Sequence, residues 1–277
     1  MMVYKPKELP EDINVTPIHP LVDLAHLLAT VVIASTIVYF SLGAIATQLA
    51  VRISPELETK IGNQLLSSVP KAEFDSQQQR YLQSLLASIS TTHLDVPVTI
   101  HLQKSKSSNA MIIPGGHIIV TTALLESAES ENELAFVLAH ELGHHVARDP
   151  LKALGRSLVF VTIASAIGIG SGNADIVTLT GSMSDLHYSR KQELIADRYA
   201  LSAVIRIYGH GEGSLDFFKR LITKHKYSEN KLSAYFSTHP LTQARIDRLN
   251  QIAKQQQWQM TGDTTELPQS MILWRAK

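Results

Sequence analysis

Two histidines and a glutamate stand at a spacing that suits metal-assisted hydrolysis. His140, Glu141 and His144 spell His-Glu-x-x-His inside an apolar stretch. On an α-helix, residues four apart lie one above the other with Cβ atoms roughly 6 Å apart, so both imidazoles can reach one ion. Glu141 lies about 100° further around the helix, where its carboxylate can reach a metal-bound water without becoming a ligand. The triplet therefore predicts two zinc ligands and a general base.

A histidine-rich surface helix without metal is the alternative, since the chain has 12 histidines. The flanking sequence favours the metal helix. Ser130 and Glu133 are spaced as a capping box, and the Asp149-Pro150 pair ends the helical pattern. Between them, apolar residues recur at helical spacing: Leu134, Val137, Leu138, Leu142 and Val146. The motif is thus predicted to lie on a helix of about five turns.

A catalytic zinc usually takes three protein ligands, so one more side chain is needed. The metzincin extension of the motif is absent, because Ala147 stands where its Gly would be and Pro150 where its third His would be. Glu193 and Asp197 lie four apart in a later stretch without Gly or Pro, which predicts a helix with one apolar stripe. They are candidate metal-site carboxylates, although an ordinary charged helix face fits the same stretch.

Two further stretches carry a family resemblance: Asn-Ala followed by Pro-Gly-Gly within residues 109–120, and His-Pro followed by Arg within residues 238–245. With the two helices above, they resemble the M48 family of zinc metallopeptidases, which includes HtpX-like, Ste24-like and Oma1-like proteases of the gluzincin clan. The matched segments span residues 109–249.

The resemblance implies one Zn²⁺ per chain, held by His140, His144 and Glu193. It implies that the Asp197 carboxylate holds a ligand histidine in the tautomer that can bind the metal. It also implies that His239 lies near the scissile carbonyl as a catalytic residue and that Arg245 supports the site electrostatically. A histidine before proline is also common in turns, so an ordinary turn is the alternative for His239.

The substrate backbone is expected to lie as an added strand along Ile113 to Val120, because an exposed edge pairs main chain to main chain. The expected substrate-binding residues are Asn109, Ala110, Gly116 and Ile118. A plain hairpin is the alternative, since Pro114-Gly115-Gly116 is also good turn chemistry. Edge binding predicts broad specificity for polypeptide substrates.

The predicted function is that of a membrane-anchored zinc endopeptidase for misfolded or membrane-associated proteins. The rival is a non-proteolytic membrane scaffold or chaperone with a structural zinc, closed by His145 or His239 as fourth ligand. A net charge of zero without an Arg-rich cluster argues against a nucleic-acid partner, and the absence of cysteine excludes thiolate ligands. The oligomeric state is not set by the sequence.

A long uncharged segment predicts a bilayer anchor. Leu27 to Val51 contains no charged residue, and as a helix it reaches about 37 Å, enough to cross a ~30 Å hydrocarbon core. A cleaved signal peptide is the alternative. Lysine and arginine on the two sides are nearly balanced and do not decide the orientation. A single N-terminal anchor before a large domain often leaves the N-terminus in the cytoplasm, which favours a bacterial inner membrane with the catalytic domain on the periplasmic side, although membership of the HtpX-like group would argue the other way.

A second apolar run, Ser157 to Ala174, lies between the zinc helix and Glu193. One bilayer crossing there would put Glu193 and the histidines in opposite aqueous phases, and there is no room for two crossings. The run is therefore expected to form a helix buried in the catalytic domain, with dipping against the membrane as the alternative.

The predicted fold is α+β and mainly helical: a zincin-like metallopeptidase domain with a small sheet, plus one N-terminal transmembrane helix. Within the domain, a helix is expected over Phe74 to Ser90, and strands over Pro97 to Gln103 and Ile112 to Thr121. The C-terminal tail is expected to dock on the domain or touch the membrane. The predicted boundaries are a polar tail 1–26, the anchor 27–51, a connector 52–70, the peptidase domain 71–260 and the C-terminal tail 261–277.

Overall fold

The computed structural model describes residues 19–69, 76–90, 94–166, 188–227, 239 and 242–271. These ranges hold nine helices and a small sheet, so the predicted mainly helical α+β fold is confirmed. In chain order the elements are α1 Pro20–Ala50, α2 Pro55–Ser67, α3 Ser76–Ile89, β1 Thr99–Gln103, β2 Ala110–Ile113, β3 His117–Thr121, α4 Thr122–Ser127, α5 Glu131–Val146, α6 Asp149–Ala166, α7 Arg190–Tyr208, α8 Asp216–Tyr227 and α9 Gln243–Gln255.

The sheet has the order β1-β3-β2, with β1 parallel and β2 antiparallel to β3. The predicted strand from Ile112 to Thr121 is wrong as a single element, because the chain turns back between β2 and β3. Gly115 and Gly116 have φ angles of 83° and 74°, which residues with a Cβ rarely adopt, and they form this turn. The hairpin that the sequence left as an alternative is the observed structure.

Helices α5 and α7 pack against each other and form the framework of the site. Ser130 caps α5 by accepting a hydrogen bond from the Glu133 amide, and Ser189 forms a full capping box with Gln192 at the start of α7. The two helices approach closely at Gly143, where an added Cβ would lie 2.9 Å from the Ala196 Cα atom. A glycine at this point of α5 therefore allows the backbones to meet.

The hydrophobic core lies between the sheet and the helices α3, α5, α7, α8 and α9. Strand β3, the middle strand, is buried along its whole length. Phe136 of α5 packs edge-on against Phe218 of α8, with ring centroids 5.3 Å apart. The described part of the predicted C-terminal tail also joins the core, since Leu267 and Met271 are buried. The expectation that the tail docks on the domain therefore holds to residue 271, and 272–277 lie outside the described residues.

Helix α1 is long and apolar enough to cross a membrane, and its apolar window has no buried residue. It begins seven residues before the predicted anchor, at Pro20, with His19 as its N-cap. Helix α6 packs along α1, and Leu158 in its second half is 43% exposed. The expectation of a helix buried in the catalytic domain is therefore wrong at Leu158, while the side chains of 160–166 and all of 167–174 lie outside the described residues and leave the rest of the run as a prediction.

Candidate active site

Helix α5 places both motif histidines in the interior. His140 and His144 are completely buried, and their Nε2 atoms lie 3.2 Å apart. Their spacing of four residues on one helix face explains this convergence. The second nitrogen of each ring faces a carboxylate: His140 Nδ1 lies 3.0 Å from Asp197 Oδ1, and His144 Nδ1 lies 3.1 Å from Asp149 Oδ2. A proton on each Nδ1 leaves the two Nε2 atoms free to act as metal ligands.

Helix α7 brings Glu193 to the same point. Its Oε2 atom is 3.6 Å from His140 Nε2, and its Oε1 atom is 3.5 Å from His144 Nε2. His239 adds a fourth donor, with Nδ1 3.2 Å from His140 Nε2 and 3.1 Å from Glu193 Oε1. One donor atom from each of the four residues lies within 4.8 Å of the others.

The distances in this donor group fit a zinc ion. Ligand atoms about 2.0–2.1 Å from a tetrahedral zinc lie about 3.3 Å from one another. The adjacent donors here are separated by 3.1 to 3.6 Å. Three of the four residues, His140, His144 and Glu193, are the ligands that the sequence resemblance implied, and the structure brings them together.

Arg245 on α9 binds both carboxylates of α7. It donates two hydrogen bonds to Asp197, at 2.9 and 2.7 Å, and its Nη1 atom lies 2.7 Å from Glu193 Oε2. Its guanidinium also lies 5.0 Å from the centroid of the Phe218 ring. Burial raises the pKa of the Asp197 carboxyl, but Arg245 and His140 outweigh it, so the net pKa is lowered. Asp197 therefore stays ionised as the acceptor for His140.

The sequence model of peptidase family M48 matches residues 75–253, more than half of the chain. The chain belongs to peptidase family M48.

One curated M48 relative is a Vibrio cholerae protein that carries the name of the beta-barrel assembly-enhancing protease. The two sequences are 30% identical over 181 residues, and the match covers 60% of this chain and 37% of the relative. It is 28% identical over 160 residues to the mitochondrial metalloendopeptidase OMA1 of Schizosaccharomyces pombe, covering 57% and 47%. It is 25% identical over 172 residues to the beta-barrel assembly-enhancing protease of Escherichia coli, covering 56% and 35%. The chain spans between about a third and a half of the length of these relatives.

Two residues of this M48 site were missed in the sequence. Asp149 is buried and accepts from His144, and Lys152 Nζ donates to its other oxygen at 3.1 Å. The sequence showed Asp149 only as the end of a helix. Its position five residues after His144 was the available signal. Tyr188 stacks on His144 with ring centroids 4.0 Å apart, and no motif pointed to it.

His239 lies within the donor group. The structure puts its Nδ1 among the donor atoms and its Nε2 atom 3.5 Å from Glu141 Oε1. Its place beside a scissile carbonyl, which the resemblance implied, stays a prediction. Neighbouring residues 228–238 and 240–241 lie outside the described part of the chain. As a fourth donor, His239 would take the position that a catalytic zinc keeps for water.

Glu141 lies beside the donor group and is completely buried. Burial raises the pKa of its carboxyl, while His239, His144 and the Ile112 backbone act in the opposite direction. Burial also lowers the pKa of His140 to about 4, so this ring is neutral at pH 7, as a metal ligand must be. A carboxylate with a raised pKa beside a metal-ligand group suits a proton acceptor that later acts as a donor.

The expected substrate strand is wrong for β3. Strand β3 pairs with β1 on one side and β2 on the other, so it has no free edge for a substrate. Ile118 lies in the middle of β3, and Gly116 lies in the turn before it, where its carbonyl accepts from the Thr99 amide. Within the described sheet, β2 forms the edge that packs against α5. Asn109 and Ala110 lie at the start of this edge.

Proposed function

We propose that this M48 chain is a membrane-anchored zinc metalloendopeptidase. One observation carries the proposal: a completely buried Glu141 carboxylate stands beside a donor group whose spacing fits zinc. His140, His144 and Glu193 would hold the ion, and Asp197 and Asp149 would fix the tautomers of the two histidines. When bound, zinc supplies the Lewis acidity that lowers the pKa of a water molecule towards ~7 and polarises a peptide carbonyl.

Proton transfer falls to Glu141. Its carboxylate accepts a proton from the attacking water and returns it to the departing amine, which requires one group to act as base and then as acid. Burial supports this double role, because it raises the pKa of the carboxyl towards the working pH. Arg245 lowers the pKa of Asp197 and so keeps it ionised, and its 2.7 Å contact with Glu193 Oε2 helps to hold that carboxylate in place.

The substrate would add as a strand to the outer edge of β2. Thr121 donates its amide to the Asn109 carbonyl, so Asn109 and Thr121 form a hydrogen-bonded pair. Pairs alternate along an antiparallel ladder, which turns the backbone groups of Ala110 and Ile112 away from β3. The Ile112 backbone is also close enough to Glu141 to affect its pKa. A peptide paired there would pass in front of the general base.

Edge pairing makes few demands on side chains, which suits a protease for misfolded or membrane-associated proteins. The bacterial relatives are named for beta-barrel assembly, and the yeast relative is named as a mitochondrial metalloendopeptidase. We extend the proposal to quality control at a bacterial inner membrane, with the catalytic domain on the periplasmic side and α1 as the single-pass anchor.

The rival function is a non-proteolytic scaffold with a structural zinc. The fourth donor, His239, is the observation in its favour, since closed sites use four protein ligands. A structural site, however, has no use for a buried carboxylate that is not a ligand. Glu141 therefore favours the protease, with His239 withdrawing when water and substrate enter.

The deciding experiment compares two conservative substitutions in the full-length chain. Glu141→Gln should lower cleavage of an unfolded protein such as casein by about 10²–10⁴-fold at unchanged zinc content, because only the general base is lost. Glu126→Gln is the matched control, since Glu126 is exposed. Cleavage by Glu141→Gln at the wild-type rate would contradict the proposal that the chain is a protease.

A further inference from the structure

Helix α6 runs antiparallel to the membrane helix α1. At the start of α6, Arg148 donates to the Val51 carbonyl at 2.8 Å and to the Ile53 carbonyl at 2.7 Å, just beyond the end of α1. Seven residues later, a Cβ added at Gly155 would lie 3.2 Å from the Ala46 carbonyl oxygen. Later residues of α6 therefore lie beside earlier residues of α1, within its bilayer-spanning part.

The length of α6 carries it deep alongside that part. From Gly155 to Ala166 the helix advances about 16 Å, which reaches the level of about Ser35 on α1. At this depth the α1 side chains are exposed in the protein: Ile33 is 59% and Phe40 is 67% exposed. Side chains of this kind on a 31-residue helix need a lipid environment. Any residue of α6 at the same level shares that environment.

The sequence of α6 loses its charged residues at the level where the helix would enter the bilayer. Arg156 is the last charged residue before an uncharged run that extends to Ala174. Leu158, two residues later, is exposed to the surroundings of α1. Arg156 lies at about the level of Ala46, and α1 from Leu24 to Ala46 is about 34 Å long, still enough to cross the ~30 Å hydrocarbon core. Arg156 is half-buried and close enough to the buried Tyr188 to affect its pKa, so the last charge of α6 still lies at the level of the peptidase domain.

The α1 face towards α6 consists of small residues. Ala46 and Thr47 are partly covered and Ala50 is buried, while a Cβ added at the partly covered Gly43 would meet nothing within 4 Å and the rest of the helix is exposed. Small residues at a spacing of three and four let helix backbones approach in lipid, where the hydrophobic effect does not drive helices together. The covered face matches the contact at Gly155.

We propose that α6 is a second membrane-embedded element, with residues 157–166 entering the hydrocarbon beside α1. Because Asp149 begins α6 and contacts His144, the donor group lies about 12 Å along the helix axis from the level of Ser157. The peptidase domain is thus held against the bilayer by two helices, with its metal site close to the lipid surface. This placement is independent of whether the site cleaves peptides.

Spin labels on single cysteines test the depth, because the chain has no cysteine of its own. Leu158→Cys is labelled in the full chain in vesicles of phosphatidylethanolamine and phosphatidylglycerol, and collision rates with oxygen and a water-soluble nickel chelate are measured. Phe40→Cys on α1 is the lipid reference, and Asn250→Cys, exposed on α9, is the water reference. The Leu158 label should give an oxygen-to-nickel ratio close to that at Phe40. A ratio equal to that at Asn250 would overturn the proposal.

A disulfide tests the pairing separately. A Cβ added at Gly155 would lie 3.5 Å from the Ala46 Cβ atom, within the range that disulfides use. The double variant Ala46→Cys and Gly155→Cys should cross-link under mild oxidation in vesicles, whereas Ala46→Cys with Asn250→Cys should not. A reduced double variant with the wild-type circular dichroism spectrum and no cross-link would contradict the pairing. If the double variant does not fold, the spin-label ratio at Leu158 alone decides.

Discussion

Gly143→Ala tests the close approach that brings the two halves of the site together. The new Cβ would lie 2.9 Å from Ala196 Cα and 3.2 Å from Tyr199 Cβ. Carbon atoms in ordinary contact are about 3.5–4.0 Å apart, so α5 and α7 must separate by about 0.6 Å. Both near atoms belong to the backbone or the start of a side chain, which cannot rotate away. The substitution therefore moves Glu193 relative to His140 and His144.

The expected size follows from two opposing terms. Overpacking costs about 1–3 kcal/mol, and replacing glycine by alanine in a helix returns about 1 kcal/mol. A net loss of about 1 kcal/mol lowers Tm by about 2–4 °C in a domain of this size. Metal sites require ligand distances within about 0.2 Å of their ideal values, so we expect zinc affinity to fall at least about tenfold.

Thermal unfolding followed by circular dichroism and zinc competition with a chelating dye measure both effects in detergent-solubilised protein. Gly43→Ala is the matched control, because a Cβ at Gly43 would meet nothing within 4 Å. The control should keep the wild-type Tm and zinc affinity. A Gly143→Ala variant as stable and as tight for zinc as the wild type would refute the close approach of α5 and α7.

Three further outcomes follow from the site. Asp149→Asn keeps the shape of the side chain but removes the charge that orients His144, so zinc affinity should fall about 10–100-fold. The exposed Asp263→Asn is the control, and equal affinities in both variants would contradict this role. His239→Ala should raise proteolysis of casein, because it opens the position that His239 fills; a fall would restore the catalytic role expected from the sequence. Removal of zinc by a chelator should abolish proteolysis. It should also lower Tm, because an ion at 100 times its Kd stabilises the folded chain by about 2.7 kcal/mol. An unchanged Tm would count against a bound ion.

The parts of the site that depend on local spacing were predictable from the sequence. His140 and His144 share a helix face because they are four residues apart, and the cap at Ser130 and the turn at Asp149 marked the ends of that helix. Glu193 was a candidate by its place on a second helix without Gly or Pro, and the family resemblance implied its role as a ligand. The structure brings these groups to one point because α5 and α7 pack closely at Gly143.

Long-range packing decided what the sequence left open or predicted wrongly. The free edge of the sheet depends on the parallel pairing of β1 with β3, which joins residues that are far apart in the chain. Asp149 reaches His144 because the chain turns sharply at Arg148, which has a φ of 56°. The location of α6 depends on a partner helix more than a hundred residues earlier. Local periodicity contains none of this information.

The zinc content of a ligand variant is the most direct test of the claim that residues of α5 and α7 bind the same ion. Full-length protein is dialysed against a limiting chelator, and zinc per chain is measured by mass spectrometry. The wild type and the Glu126→Gln control should retain about one zinc per chain, and Glu193→Ala should lose most of it, because only two of the three expected ligands remain besides His239. Full zinc content in Glu193→Ala would place the metal elsewhere and contradict the proposed site.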